Sequence, residues 1–177
     1  FGQVANFKID SDFPIEKMAI AINSQLKKSI RIKEVEEVSQ EFHSRYNCHS
    51  KTYQYVIDNS EQGSAIYRGL SYHVPQKLNV EKMQKAVTYF VGEHDFSSFK
   101  SSGTSSKSSV RIIYDAKVEK DGEKVKISFT GNGFLYNMVR IISGTLVEVG
   151  LNNIEPEDIP EIIEAKNRQM AGKTLPP

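Results

Sequence analysis

The run GNGFLYNMVRIISGTLVEVG, Gly131–Gly150, constrains this chain more than any other stretch. Phe134, Leu135, Met138, Val139, Ile141, Ile142, Leu146, Val147 and Val149 would cover more than half the circumference of a helix. A helix that apolar is buried on most sides rather than laid on a surface. Two glycines lead in and one closes the run, which predicts a helix entered from a tight turn and ended by a left-handed C-cap. Arg140 stands in the middle of it. Its neighbours three and four residues away are Tyr136, Asn137, Ser143 and Gly144, and none is an acid. A buried guanidinium without a counter-charge is costly, so its partner must come from another element or from a bound anion. The alternative is an arginine that reaches the surface along its own stem.

A chain of 177 residues accommodates one domain or two closely packed halves. With 38% hydrophobic residues it can build a core, and a formal charge of +1 gives no global argument for nucleic acid, so any such case must rest on a local patch. The single cysteine, Cys48, excludes an intrachain disulfide and a multi-cysteine zinc site, and points to a reducing cytoplasm. No apolar run approaches the length of a membrane span, and no charged-then-apolar leader opens the sequence. The start at Phe1 in a strand-like run and the stop after Thr-Leu-Pro-Pro read as an excised piece of a longer protein.

FGQVANFKI alternates imperfectly, as a strand does. Ser11-Asp12-Phe13-Pro14 then opens a helix from about Ile15 to Leu26, with Met18, Ala19, Ile22 and Leu26 on one face. The segment from Ile30 reads as a strand with Ile32, Val35 and Val38 inward. KTYQYVIDN is the clearest strand, placing Tyr53, Tyr55 and Ile57 on one face and Thr52, Gln54 and Val56 on the other. Tyr67 to Val74 is expected as a further strand. Asn79 caps a helix that carries Val80, Met83, Val87 and Phe90, and Gly92 ends it. The serine-rich Ser101–Ser109 stretch makes a mobile loop with Lys100, Lys107 and Arg111 lending positive charge. VRIIYDAKVEK and KVKISFTGN flank Asp121-Gly122 and should pair as a hairpin. A short helix follows Glu155-Pro156. Strands interleaved with helices, and at least one hairpin, predict an α+β fold with a mixed or mostly antiparallel sheet flanked by helices.

Four histidines, His43, His49, His73 and His94, show no metal-ligand spacing with nearby acids, so no metal is expected. Cys48 and His49 are adjacent and point apart on a strand, which argues against a cysteine nucleophile. FHSRYNCHSKTYQY is more suggestive. It interleaves Phe42, Tyr46, Tyr53 and Tyr55 with His43, Arg45, His49 and Lys51, and rings can stack on bases while cations hold phosphates. An ordinary strand with core tyrosines and a solvated basic edge gives the same pattern.

Six stretches in register resemble the tRNA pseudouridine synthase A family. They are GQVANF, FHSRYNCHSKTYQYVI, GEHDFSSF, VRIIY, GNGFLYNMVRIISGTLVEVG and AKNRQMAGKTLPP, and together they span essentially the whole chain. The resemblance implies the pseudouridine synthase fold, two α/β halves whose sheets join around a basic cleft. Residues 1–45 would be a remnant of the first half, and 46–177 the second half stopping before its last strand. It also implies an enzyme that isomerises uridine to pseudouridine at positions 38–40 of the tRNA anticodon stem-loop, without metal or cofactor, as a cytoplasmic homodimer.

By the same resemblance Tyr53 of KTYQY is the active-site tyrosine that packs on the flipped target base. Arg140 of NMVR is the basic residue that pairs with the catalytic aspartate, and Val139 lines the pocket beside it. His43, Arg45, Lys51, Lys100, Lys107 and Arg111 would face the tRNA. The family's catalytic aspartate lies in a GRTDAGVHA-like motif before its GQV strand, and this sequence contains no such motif. Asp10 and Asp12 follow that strand and do not fit the role. The expectation is therefore a synthase fragment that is inactive alone. The competing reading is a catalytically silent RNA-binding or assembly module on the same fold.

Overall fold

A computed structural model describes residues 2–103 and 108–177. The chain divides into two compact units, Phe1–Cys48 and His49–Pro177.

In the first unit a single helix, α1 (Ile15–Gln25), is flanked by segments without regular secondary structure. Met18, Ala19, Ile22 and Leu26 are its half-buried face, as their spacing predicts, but no described residue before His49 is fully buried. Neither predicted strand forms here. A strand exists only where a neighbour completes its ladder, and the side chain of Asn23 takes that place at one point, bonding both the N–H (2.8 Å) and the carbonyl (2.9 Å) of Ile32. Val4, Phe7 and Ile9 consequently stay exposed. Pro14 opens the helix without a side-chain cap, and the Ser11 hydroxyl accepts from the N–H of Phe13.

The second unit is built on a five-stranded sheet, mixed and mostly antiparallel, as the alternation of elements predicts. Its strands are β1 (Lys51–Asp58), β2 (Tyr72–His73), β3 (Gly92–Asp95), β4 (Val110–Asp121) and β5 (Lys124–Gly131). They lie in the order β2-β1-β5-β4-β3, with only the β1–β2 pair parallel. The hairpin joins β4 to β5 through Gly122 and Glu123, one residue beyond the expected turn, and Gly122 supplies the positive φ of 60°. The strand expected over Tyr67–Val74 shrinks to two residues, because the chain turns at Gly69 (φ 82°) before it reaches the sheet edge.

Helices α2 (Val80–Thr88), α3 (Met138–Gly150) and α4 (Ile159–Glu164) complete the unit, with α2 and α3 packed on one face of the sheet. Asn79 caps α2 as expected, its side chain accepting from Lys82 N at 3.1 Å. That helix ends at Thr88, and Gly92 opens β3 rather than closing the helix. The core between the layers holds Ile57, Ile127, Phe129, Met138, Ile142 and Leu146 with the rings of Phe90, Phe96 and Phe99. Phe90 meets Phe99 edge to face at 5.2 Å and Phe129 at 6.4 Å; such pairs add about 0.5–1.5 kcal/mol each beyond the area they bury. The opposite sheet face is polar: Thr52 and Thr130 share a 2.8 Å hydrogen bond, and Gln54 donates to Ser128.

The run Gly131–Gly150 is not one helix. Gly131 belongs to β5, residues 132–137 turn, and only Met138–Gly150 is helical. The glycines answer to packing. A β-carbon at Gly131 would lie 2.6 Å from the carbonyl oxygen of Ile112, and one at Gly150 would lie 2.8 Å from Met83 Sδ. The left-handed residue that ends α3 is Asn152 (φ 63°), not Gly150. Arg140 therefore sits in the first turn of α3, not in mid-helix.

Candidate active site

β1 carries Tyr53 and Tyr55 on the face toward α3, because residues two apart in a strand share a face. Tyr53 pairs across the ladder with Phe129, yet its own ring is 51% exposed and meets Phe134 edge to face at 5.2 Å. A half-exposed aromatic side chain steadied by a neighbouring ring can stack on a planar ligand.

Two residues further along, Tyr55 is half-buried and donates its phenol proton to the carbonyl of Pro176 at 2.7 Å. Burial pushes its pKa up to about 12; the Arg140 guanidinium pulls the other way, and Tyr72 adds to the rise. The phenol thus stays protonated, and a donor, through the neutral range.

Arg140 is half-buried. Its Nε donates to the carbonyl of Leu175 at 2.6 Å and its Nη1 to Asn137 Oδ1 at 2.9 Å. Among the described residues it forms no ion pair. Instead of the counter-charge expected from the sequence, the guanidinium meets two neutral oxygens among the described residues, one from the C-terminal segment and one from the residue three positions earlier. Asn137 is itself held: its backbone is left-handed (φ 60°) and its Nδ2 donates to Ser101 Oγ at 3.0 Å. Val139, half-buried, packs against the core beside Arg140.

Of the remaining predicted residues, Lys51, Lys100 and Arg111 lie on segments that border residues 131–137, the approach to α3. Lys51 opens β1 opposite Gly131. Lys100 donates to Ser109 Oγ at 2.6 Å, and Arg111 Nη1 to the carbonyls of Ser108 and Val110. Lys107 lies outside the described residues. His43 and Arg45 belong to the first unit, where both meet Tyr46: the imidazole at 4.2 Å between ring centroids, the guanidinium 5.1 Å over the phenol ring.

Sequence reasoning set Tyr55 on the face of Tyr53 and Asn137 three residues before Arg140 but gave neither a role in the site, and it did not bring Phe134 to Tyr53. The available signals were the period of two that puts Tyr55 beside Tyr53, and the helical spacing of three that puts Asn137 under Arg140. Among the described residues no three His, Cys, Asp or Glu side chains cluster as metal ligands would, and no helix is long and apolar enough to cross a membrane.

The profile of a family described as tRNA pseudouridine synthase matches residues 86–177. The tRNA pseudouridine synthase A of Acetivibrio thermocellus is 50% identical over 175 residues, 99% of this chain and 72% of that protein. That of Caldicellulosiruptor saccharolyticus is 49% identical over 176 residues, with the same shares covered. The chain belongs to the tRNA pseudouridine synthase family. A second form, tRNA pseudouridine synthase A 2 of Clostridium perfringens, is 47% identical over 174 residues, 98% of this chain and 71% of that protein. Membership agrees with the resemblance carried by the six sequence stretches, and the mixed sheet with helices agrees with the fold class it implied. The family profile takes in α3 and the C-terminal segment, hence both Arg140 and the carbonyl it bonds.

Proposed function

We propose that this chain is the tRNA-facing catalytic part of a pseudouridine synthase, isomerising uridine to pseudouridine at positions 38–40 of the anticodon stem-loop. The observation that carries the reading is that β1, which bears the half-exposed Tyr53, packs against α3, which bears the half-buried guanidinium of Arg140. Tyr53 packs on the uracil once the nucleotide has left its stack, which an enzyme acting on a base atom requires. Val139 supplies an apolar wall. Arg140 pairs with the aspartate nucleophile, holding it ionised for covalent attack, detachment of the uracil, rotation and rejoining through carbon.

No GRTDAG-like run occurs in these 177 residues, so the aspartate is supplied by a residue outside them. Lys51, Lys100, Lys107 and Arg111, with His43 and Arg45, contact the tRNA, and the protein works in the cytoplasm as a homodimer without metal or cofactor. The test is tritium release from tRNA labelled at uridine C5. The natural protein turns over, its Tyr53→Ala and Arg140→Met variants lose turnover, and residues 1–177 alone give none. tRNA binding by the natural protein without any tritium release would replace this reading with the silent RNA-binding module.

A further inference from the structure

Residues after α4 form no regular secondary structure, yet they lie in fixed contact with α3 and β1. Leu175 is fully buried, and its N–H donates to the carbonyl of Arg140 at 3.3 Å while its own carbonyl accepts from Arg140 Nε at 2.6 Å. The exchange is reciprocal, like one rung of a ladder. Upstream, the N–H of Gly172 donates to Thr145 Oγ1 at 2.9 Å, and the backbone of Lys173 lies directly on Gly144, where no β-carbon fits. Downstream, the carbonyl of Pro176 accepts from Tyr55.

This arrangement answers an electrostatic problem. The first turn of a helix points unsatisfied N–H groups and the positive end of its dipole outward, an unfavourable place for a cation. Arg140 stands there all the same, held by the carbonyl of Leu175 and the amide oxygen of Asn137. Both acceptors are neutral, so they fix the guanidinium without discharging it. Nη2 makes no hydrogen bond among the described residues, which leaves a donor for an anion.

We propose that Tyr55 is a positioning residue for Arg140: by tying Pro176 to β1 it fixes the carbonyl of Leu175, and through that carbonyl the depth and orientation of the guanidinium. β1 then carries both sides of the site, the stacking ring at Tyr53 and, two residues on, the tie that sets how far Arg140 stands from it. The role of the guanidinium in turnover rests on the function proposed above; the tie itself does not. A raised phenol pKa fits the assignment, because a phenolate could not donate to Pro176.

Two measurements test it. In the natural protein, carrying whatever its gene adds to these residues, Tyr55→Phe is expected to lower kcat at least about tenfold while leaving the KM for tRNA within about twofold. Combining it with Arg140→Met should cost nothing further. A kcat within twofold of the unsubstituted enzyme, or a loss that multiplies with that of Arg140→Met, overturns the proposal. Full activity of Arg140→Met overturns the functional reading instead. The second measurement is independent of turnover: nitrogen-15 NMR of the arginine Nε–H in the 177-residue chain. The Arg140 proton should exchange slowly and become at least about tenfold faster in Tyr55→Phe. Fast exchange in the unsubstituted chain, or an unchanged rate in the variant, removes the tie even if the variant proves poorly folded for kinetics.

Discussion

Gly144 of α3 and Lys173 of the C-terminal segment touch backbone to backbone, with the Lys173 carbonyl occupying the space a side chain at 144 would need. Because the contact is to backbone, no rotamer change relieves it. Gly144→Ala is therefore expected to destabilise the protein by about 1–3 kcal/mol, the usual range for overpacking, even though alanine is the better helix former. Urea denaturation should show a lower midpoint at unchanged slope. A midpoint at or above that of the parent would mean the segment does not lie on the helix.

Removal of the guanidinium should separate function from folding. Arg140→Met keeps the stem and deletes the donors to Leu175 and Asn137, a stability loss of about 1–2 kcal/mol. Turnover in the natural protein should fall about a thousandfold, the scale seen when a preorganised electrostatic partner is lost. Tritium release set against the denaturation midpoint gives both numbers. Normal specific activity in a protein that merely folds less well would contradict the assignment.

Asp58 governs the acid side. It is 5% exposed and accepts from Ser60 Oγ at 2.7 Å, Ser60 N at 3.2 Å and Ser64 N at 2.7 Å. The Ser60 hydroxyl is the largest cause holding its pKa below the ordinary 3.8, against the opposing effect of burial; the Ser64 and Ser60 N–H groups and the charge of His73 also lower it. Since the folded pKa lies below the unfolded one, this contribution is present in full above about pH 4 and fades as pH falls through the folded value. Asp58→Asn cannot accept from both Ser60 and Ser64 and should be less stable at pH 7 by about 1–3 kcal/mol. Its stability should also fall less steeply than the parent's below pH 4, which denaturation midpoints across pH 2–5 would reveal.

At the alkaline end, Tyr55 titrates near 12 and the unfolded phenol near 10. The folded state holds the proton more tightly, so the contribution is complete below pH 10 and lost as pH rises through 12. Ultraviolet titration at 295 nm should resolve one late tyrosine that disappears in Tyr55→Phe. Completion of all phenol titration near pH 10, with the fold intact, would show that Tyr55 is not shielded.

Ser143 is fully buried on α3 and its hydroxyl has no hydrogen-bond partner among the described residues. Deleting an unpaired buried hydroxyl removes a desolvation cost, so Ser143→Ala should leave stability unchanged or raise it by up to about 1 kcal/mol. A clear loss in a thermal melt would reveal a partner for that oxygen.

The sequence alone determined what local chemistry and periodicity can encode. The alternation in KTYQYVID and the Asn79 cap each set an element, because the signal lies within one turn or one pleat, and the apolar run Gly131–Gly150 announced a buried helix though not that it begins only at Met138. The absence of an acid near Arg140 was legible too, but not that two neutral oxygens rather than a counter-charge would meet the guanidinium among the described residues. Tertiary structure decided the rest. Whether FGQVANFKI becomes a strand depends on a neighbouring ladder, which no residue within that segment supplies. Whether a glycine serves a turn or a close contact depends on what arrives opposite it, as Met83 does at Gly150. The oxygens that hold Arg140 divide the same way: Asn137 is three residues off and sat in view, whereas Leu175 is 35 residues away and reaches the guanidinium only once the C-terminal segment lies along α3.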